Sequence, residues 1–317
     1  MPTTSRALFT GIIDYAGLFP PAKLPMAEAF TRFLGHREGD DGWMLARFVC
    51  PASRLEELTS VIESSESAKT PIRIAVLGTG GDAPPAFAEA MERDIAAMIS
   101  FGSRHRDAAP VDVFEVKLPG QGEPASVVDF VHDEFAGKLS HPVTTFFEVP
   151  LLGEWQIRLT SSAEAISAAS HEIDQNRWAG LKIRCGGLDA SAVPTVEAVA
   201  AAVIAARDAN LPLKATQGLH HPFRQRDESL GTTVHGFFNL ASATIHAGAH
   251  DLDEHTVLEI LADEDPASFA ITNSAIRWRD IETPIEGMVK GRETSFTSIG
   301  SCSFSEPRND LITLGLF

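Results

Sequence analysis

From residue 9 onward, short runs rich in β-branched and aromatic residues alternate with longer stretches of helical periodicity, and the cycle recurs about eight times. Such alternation implies a parallel sheet, because parallel neighbours need a crossover that returns the chain to the same end. Strands are expected over Thr10–Tyr15, Trp43–Cys50, Ile72–Leu77, Val111–Leu118, Val143–Val149, Gly180–Arg184, Leu211–Thr216 and Ser295–Ser301. Helices are expected over Met26–Leu34, Arg54–Glu63, Pro85–Ile99, Ser126–Phe135, Ala163–Ile173 and Val193–Asp208, with loops at Ser64–Lys69 and Gly78–Pro84. Eight such pairs in 317 residues match a single α/β domain, a (β/α)8 barrel of TIM type. An open doubly wound sheet is the alternative, but no G-x-G-x-x-G follows the first strand. Residues 231–294 exceed one strand and helix unit, and Val234–Ala247 and His255–Leu261 both read as helical. This stretch is expected to be a helical insertion before the last strand.

Composition narrows the partners. With 44% hydrophobic residues the chain can bury a large core, and a net charge of −17 repels nucleic acid phosphates and anionic lipid. No stretch of eighteen apolar residues suggests a membrane span, and Met1–Pro21 lacks the basic start and continuous apolar core of a signal peptide. Cys50, Cys185 and Cys302 form no disulfide or zinc spacing, so a reducing, cytoplasmic setting is the expectation. The expected partner is a small anionic metabolite, with a homo-oligomer left open.

Side chains alternate along a strand, and in a barrel the outward face packs under helices while the inward face fills the centre. Phe114, Val116 and Leu118 oppose Glu115 and Lys117; Phe147 and Val149 oppose Phe146 and Glu148. Leu181 and Ile183 oppose Lys182 and Arg184, and Leu213 and Ala215 oppose Lys214 and Thr216. With Asp14 and Arg47, the inferred lining is Asp14, Arg47, Glu115, Lys117, Glu148, Lys182, Arg184 and Lys214. Eight charges in one layer are a costly way to fill space, since burying a charge costs several kcal/mol unless it is well paired. Five of the eight are cations, the local positive charge that an acidic protein would need to bind an anion.

Lys182 and Lys214 fall on adjacent expected strands. Neighbouring ammonium groups disfavour each other's charge, and a neutral lysine is the nucleophile that forms a Schiff base with a carbonyl. Either lysine could instead bind a substrate carboxylate or phosphate. The layout, with glycines after each lysine, resembles that of Schiff-base aldolases of the deoxyribose-phosphate aldolase type, where a lysine on the sixth strand forms the imine and one on the seventh perturbs it. Here Arg184-Cys185 and Gln217 stand in place of small hydroxyl-rich residues. The whole chain also resembles an uncharacterised family of bacterial proteins through Asp14-Tyr-Ala-Gly-Leu-Phe-Pro-Pro21, Lys214-Ala-Thr-Gln-Gly-Leu-His-His-Pro222, His235-Gly-Phe-Phe-Asn239 and Gly300-Ser-Cys-Ser-Phe304. That likeness implies a shared site without naming its reaction.

The expected activity is that of a lyase or aldolase on a small anionic carbonyl compound or sugar derivative, without a cofactor. Lys182 or Lys214 supplies the amine, and Glu148, Glu115 or Asp14 moves protons; Asp14 could equally serve a turn or helix cap. Arg47, Lys117, Arg184 and Arg224 are expected to hold the anion, helped by Gly186, Gly187, Gln217 and Ser301 in turns that can present backbone N–H groups. His220 and His221, with His235 beyond them, are expected in loops at the active-site face as acid, base, substrate contact or structural groups. With Glu115 and Glu148, His220 and His221 could also hold a divalent metal, which points alternatively to a metal-assisted isomerase, epimerase or hydrolase. A non-catalytic ligand-binding barrel is the third alternative. His246, His250 and His255 read as a solvated surface, and Cys302 as a small filler.

Overall fold

The computed structural model describes residues 3–64, 71–139, 141–171 and 179–317. Seven parallel strands follow one another around a barrel: β1 (Ile13–Tyr15), β2 (Leu45–Pro51), β3 (Ile74–Leu77), β4 (Val111–Lys117), β5 (Thr144–Glu148), β6 (Ala179–Arg184) and β7 (Leu213–Thr216). Five short strands intervene before the eighth barrel strand: β8 (Gln225–Asp227), β9 (Thr232–Val234), β10 (Phe269–Ile271), β11 (Ala275–Trp278) and β12 (Ile281–Pro284). The last strand, β13 (Phe296–Ser301), pairs in parallel with both β7 and β1 and closes the barrel.

Helices α1 (Thr3–Phe9), α2 (Met26–Glu38), α3 (Leu55–Ser64), α4 (Pro84–His105), α5 (Pro124–Lys138), α6 (Gln156–His171) and α7 (Val196–Asp208) precede or link the first seven strands. Beyond β7 lie α8 (Phe237–His250), α9 (Glu254–Ala262), α10 (Ile285–Thr294) and α11 (Ser305–Thr313). Prolines open α4 and α5, where a missing N–H is harmless. Thr195 caps α7 and Asp253 caps α9 by accepting from Ala198 N and Thr256 N. Residues 65–69 of the expected loop, and 172–173 of the expected helix Ala163–Ile173, lie outside the described residues.

The eight-stranded α/β barrel is the expected fold, and the strand parity holds. Phe48, Phe114, Leu181, Ile183, Leu213 and Ala215 face outward and are wholly buried beneath helices. Inside, Val49, Ala75, Val113 and Phe146 form a separate apolar cluster that plugs the barrel. Gly180 makes room for it: a Cβ there would lie 2.5 Å from the Phe146 ring.

Two expectations change. The first strand shortens to Ile13–Tyr15 because α1 ends at Phe9 and Gly11, at φ 59°, turns the chain. The insertion is not purely helical, since β8–β9 form a hairpin and β10–β11–β12 an antiparallel sheet. Phe269–Ile271, Ala275–Trp278 and Ile281–Pro284 are too short for helices, and the turn between β11 and β12 places Arg279 at φ 46°. By length and composition alone, Ala190–Asp208 could cross a bilayer, although Glu197, Arg207 and Asp208 interrupt its apolar run. It includes α7, which packs against β6, α8 and α9.

The insertion is tied to the barrel through the His235–Asn239 segment. Asn239 Oδ1 accepts from Arg224 N (2.9 Å), while its Nδ2 donates to the carbonyls of Ile260 (2.9 Å) and Asp263 (2.8 Å). One buried amide thus joins the loop after β7 to α8 and α9. Asn239→Ala strands these groups and is expected to cost about 2–4 kcal/mol, read as a lower denaturant midpoint with an unchanged m-value.

Candidate active site

Inward charges from six barrel strands form one alternating chain. Arg184 Nε meets Glu148 Oε1 at 2.7 Å, and Lys182 Nζ lies 3.0 Å from Glu148 Oε2 and 2.7 Å from Glu115 Oε2. Glu115 Oε1 is 3.2 Å from Lys214 Nζ, which also contacts Asp14 and, at 3.2 Å, Ser298 Oγ. Ser298 Oγ donates to Asp14 at 2.7 Å, and the other Asp14 oxygen faces Arg47 at 3.5 Å. Arg47 is then held by both oxygens of Asp112 (2.7 and 3.1 Å), which also binds Arg73. Glu115 Oε1 and Glu148 Oε2 are charge contacts without hydrogen-bond alignment, so each keeps a lone pair for a proton.

The chain runs between the two ends of the barrel. Arg47 lies at the N-terminal end, lining a cavity with Val113, Thr144, Pro212 and Thr297. At the C-terminal end, a pocket of about 160 Å³ is lined by Glu115, Lys182, Arg184, Thr216 and loops after β1, β6, β7 and β13. Active sites of such barrels form at this end. Lys182 reaches the pocket floor while only 2% exposed, whereas Lys214 is sealed beneath it.

Burial works against the charges of Asp14, Glu115, Glu148 and Lys182, but their partners prevail. Asp14 is held below the usual carboxylate range by Lys214 and Arg47, Glu115 by Lys182 and Lys214, and Glu148 by Lys182 and Arg184. Likewise, Glu115 and Glu148 outweigh the burial of Lys182 and raise its pKa. The expected mutual depression of the two lysines is corrected for Lys182, because Glu115 stands between the ammonium groups. The lowered carboxylates contribute stability that is present above their unfolded values, near pH 4, and is lost as pH falls through the folded ones. Wild-type stability should therefore drop on acidification below about pH 4, with a shallower drop in Glu148→Gln, as read by denaturation across pH.

Of the expected anion-holding residues, Arg184, Gly187, Gln217, His220 and Ser301 line the pocket. Arg47 belongs to the opposite end of the barrel. Lys117 ends β4 exposed and outside the ion chain, and Arg224 pairs with Glu264 at 3.5 Å away from the pocket. Gly186 serves a close crossing instead: a Cβ on it would lie 2.8 Å from Gly218 Cα. At that crossing Gln217 adopts φ 60°, a left-handed conformation uncommon for a residue with a side chain.

The four residues named for a divalent metal are not gathered. His220 Nδ1 bonds to Glu306 (3.0 Å) and His221 Nδ1 to Asp310 (2.6 Å), both on α11. Among the described residues, no group of three or more His, Cys, Asp and Glu side chains is arranged to hold a metal ion. His235 bonds to the Pro194 carbonyl and is buried, its pKa lowered to about 4 by burial. His246 is not at a solvated surface but fully buried, sharing the Thr283 hydroxyl with His250. Cys302 lines the pocket, but burial pushes its thiol pKa up, opposite to an activated nucleophile.

Asp112 and Ser298 were not among the expected site residues. Their only sequence signal is a polar residue within a barrel strand, and their role depends on what lies across the barrel. Compared with protein-family models, with characterised proteins and with solved structures, the chain finds no match. Three of the four segments that suggested a family nevertheless meet at one pocket: Phe19–Pro21, Thr216–His220 and Gly300–Cys302 all line it.

Proposed function

We propose that the protein is a lyase of the aldolase type that acts on a small carbonyl compound through an imine on Lys182. The observation that carries this reading is Lys182 Nζ at the floor of the mouth pocket, between Glu115 and Glu148. Its resting form is the ammonium, so reaction begins when a proton passes from Lys182 to a carboxylate. Exchanging a buried ion pair for a neutral pair becomes easier once substrate expels water.

The free amine then adds to the carbonyl carbon. Loss of one water from the carbinolamine gives the imine, whose protonated form is an electron sink. When the adjacent C–C bond breaks, its electron pair flows to the iminium nitrogen, giving an enamine. Glu148 or Glu115 takes the proton of the hydroxyl on the carbon being released, whose oxygen becomes the carbonyl of the first product. Protonation of the enamine and hydrolysis release the second product and restore the amine. Arg184, which lines the pocket with its Nε on Glu148, holds the anionic group.

The test is the pH dependence of borohydride trapping with a panel of aldehydes and 2-oxo acids. Adduct yield should rise with pH as Lys182 loses its proton. Glu148→Gln removes a group that raises the Lys182 pKa and should move the midpoint to lower pH. An unmoved midpoint would reject the role given to Glu148, and no adduct with any carbonyl would reject the imine.

A second reading uses the same floor without an imine. The raised Lys182 pKa suits an ammonium that stabilises an enolate while Glu115 or Glu148 moves a proton, as in an isomerase or epimerase. Substrate turnover without trapping would favour it.

A further inference from the structure

The pocket's charge balance and its apolar walls together narrow the substrate class. Within the ion chain, Lys182, Lys214 and Arg47 are all committed to carboxylates. Among the described residues, Arg184 is the only arginine that lines the pocket, and its side chain is 46% exposed. Beyond Lys182, which Glu115 and Glu148 already balance, a dianionic phosphate ester would meet a single cation, whereas a carboxylate is matched by it. Arg184 and Lys182 are two residues apart on one face of β6, about 7 Å along the strand, so the anion is held beside the carbonyl that meets Lys182.

The two wall hydroxyls each commit their proton within the protein, so neither offers a polyol a donor. Thr216 Oγ1 donates to the Ile183 carbonyl at 3.5 Å, and Ser301 Oγ to the Ser303 carbonyl at 2.7 Å. Beside Gln217 and His220, much of the wall is apolar: Phe19, Pro20, Pro21, Val49, Leu77 and Leu188. Leu188 is 66% exposed, an apolar side chain that stands in water until something covers it.

We infer that the pocket selects a monoanionic 2-oxo acid with an apolar chain or ring over sugar phosphates and other polyhydroxylated compounds. The inference rests on Lys182 as the group that meets the carbonyl. Binding is tested apart from that chemistry with probes that have no carbonyl: phenyllactate, lactate and glycerol 3-phosphate, titrated calorimetrically into the wild-type protein. Phenyllactate should bind about tenfold or more tighter than either of the others, the gain expected for removing much of a phenyl ring from water.

Leu188→Ser, at an exposed position where folding is not at stake, should reduce the phenyllactate-to-lactate affinity ratio. Tighter binding of glycerol 3-phosphate, equal binding of phenyllactate and lactate, or no binding at millimolar concentration would each overturn the inference. Borohydride trapping with phenylpyruvate separates the two claims. Selective phenyllactate binding without a trapped adduct upholds the substrate class and rejects the imine.

Discussion

Replacing Lys214 by methionine should lower the unfolding free energy by about 3–5 kcal/mol, because it leaves buried carboxylates short of a cation. Lys214 and Asp14 are both wholly buried, and Glu115 beside them is 2% exposed. Without the ammonium, Asp14 retains Ser298 and the more distant Arg47, and Glu115 retains Lys182. An exposed ion pair would lose less than about 1 kcal/mol on the same change, so denaturant unfolding separates the two situations.

Two controls show that the loss is electrostatic. Lys214→Met combined with Asp14→Asn should be less destabilised than the sum of the single variants, with a coupling of about 1–3 kcal/mol. The defect of Lys214→Met should also shrink below about pH 4, where protonation of the stranded carboxylates removes their charge. Additive single variants, or a defect independent of pH, would remove Lys214 from the role of buried counter-ion. Lys214 is thus a positioning residue that fixes Glu115 from beneath the pocket floor, and its loss alone says little about the chemistry.

The second large effect is at Lys182. Lys182→Arg keeps a cation between Glu115 and Glu148 while removing the only lysine amine that, among the described residues, lines the pocket. A guanidinium stays protonated and cannot form the imine. Turnover of a carbonyl compound trapped by the wild type should therefore fall by three or more orders of magnitude, the scale on which a covalent nucleophile is lost. Stability should fall by no more than about 1–3 kcal/mol, the cost of overfilling a packed site. Retained turnover in this folded variant would assign the chemistry to another group.

The barrel was legible because strand and helix periods differ and because each barrel strand carries its charges opposite its apolar residues. Glu115, Glu148, Lys182 and Lys214 were found from that parity alone. What parity does not provide is the partner across the barrel. Glu115 lies on β4 and Lys214 on β7, far apart in sequence, and only closure of the sheet sets the carboxylate between the lysines. The same limit explains Arg47, whose inward direction was clear but whose place at the N-terminal end, against Asp112, was not. His220 and His221 were expected at the active-site face because they follow β7, and His220 does line the pocket; bonds to Glu306 and Asp310 tie both to α11 rather than to Glu115 and Glu148. His246 was misjudged because α8 is buried along most of its length, so its polar residues are interior groups rather than a solvated face.

The central claim is that Lys182 is the amine that captures a carbonyl. Its most direct test is borohydride reduction with a 2-oxo acid, followed by intact mass and peptide mapping. The account predicts one reduced adduct per chain on Lys182, absent from Lys182→Arg and more abundant at higher pH. An adduct on Lys214, or none with any carbonyl compound that the protein turns over, would contradict it.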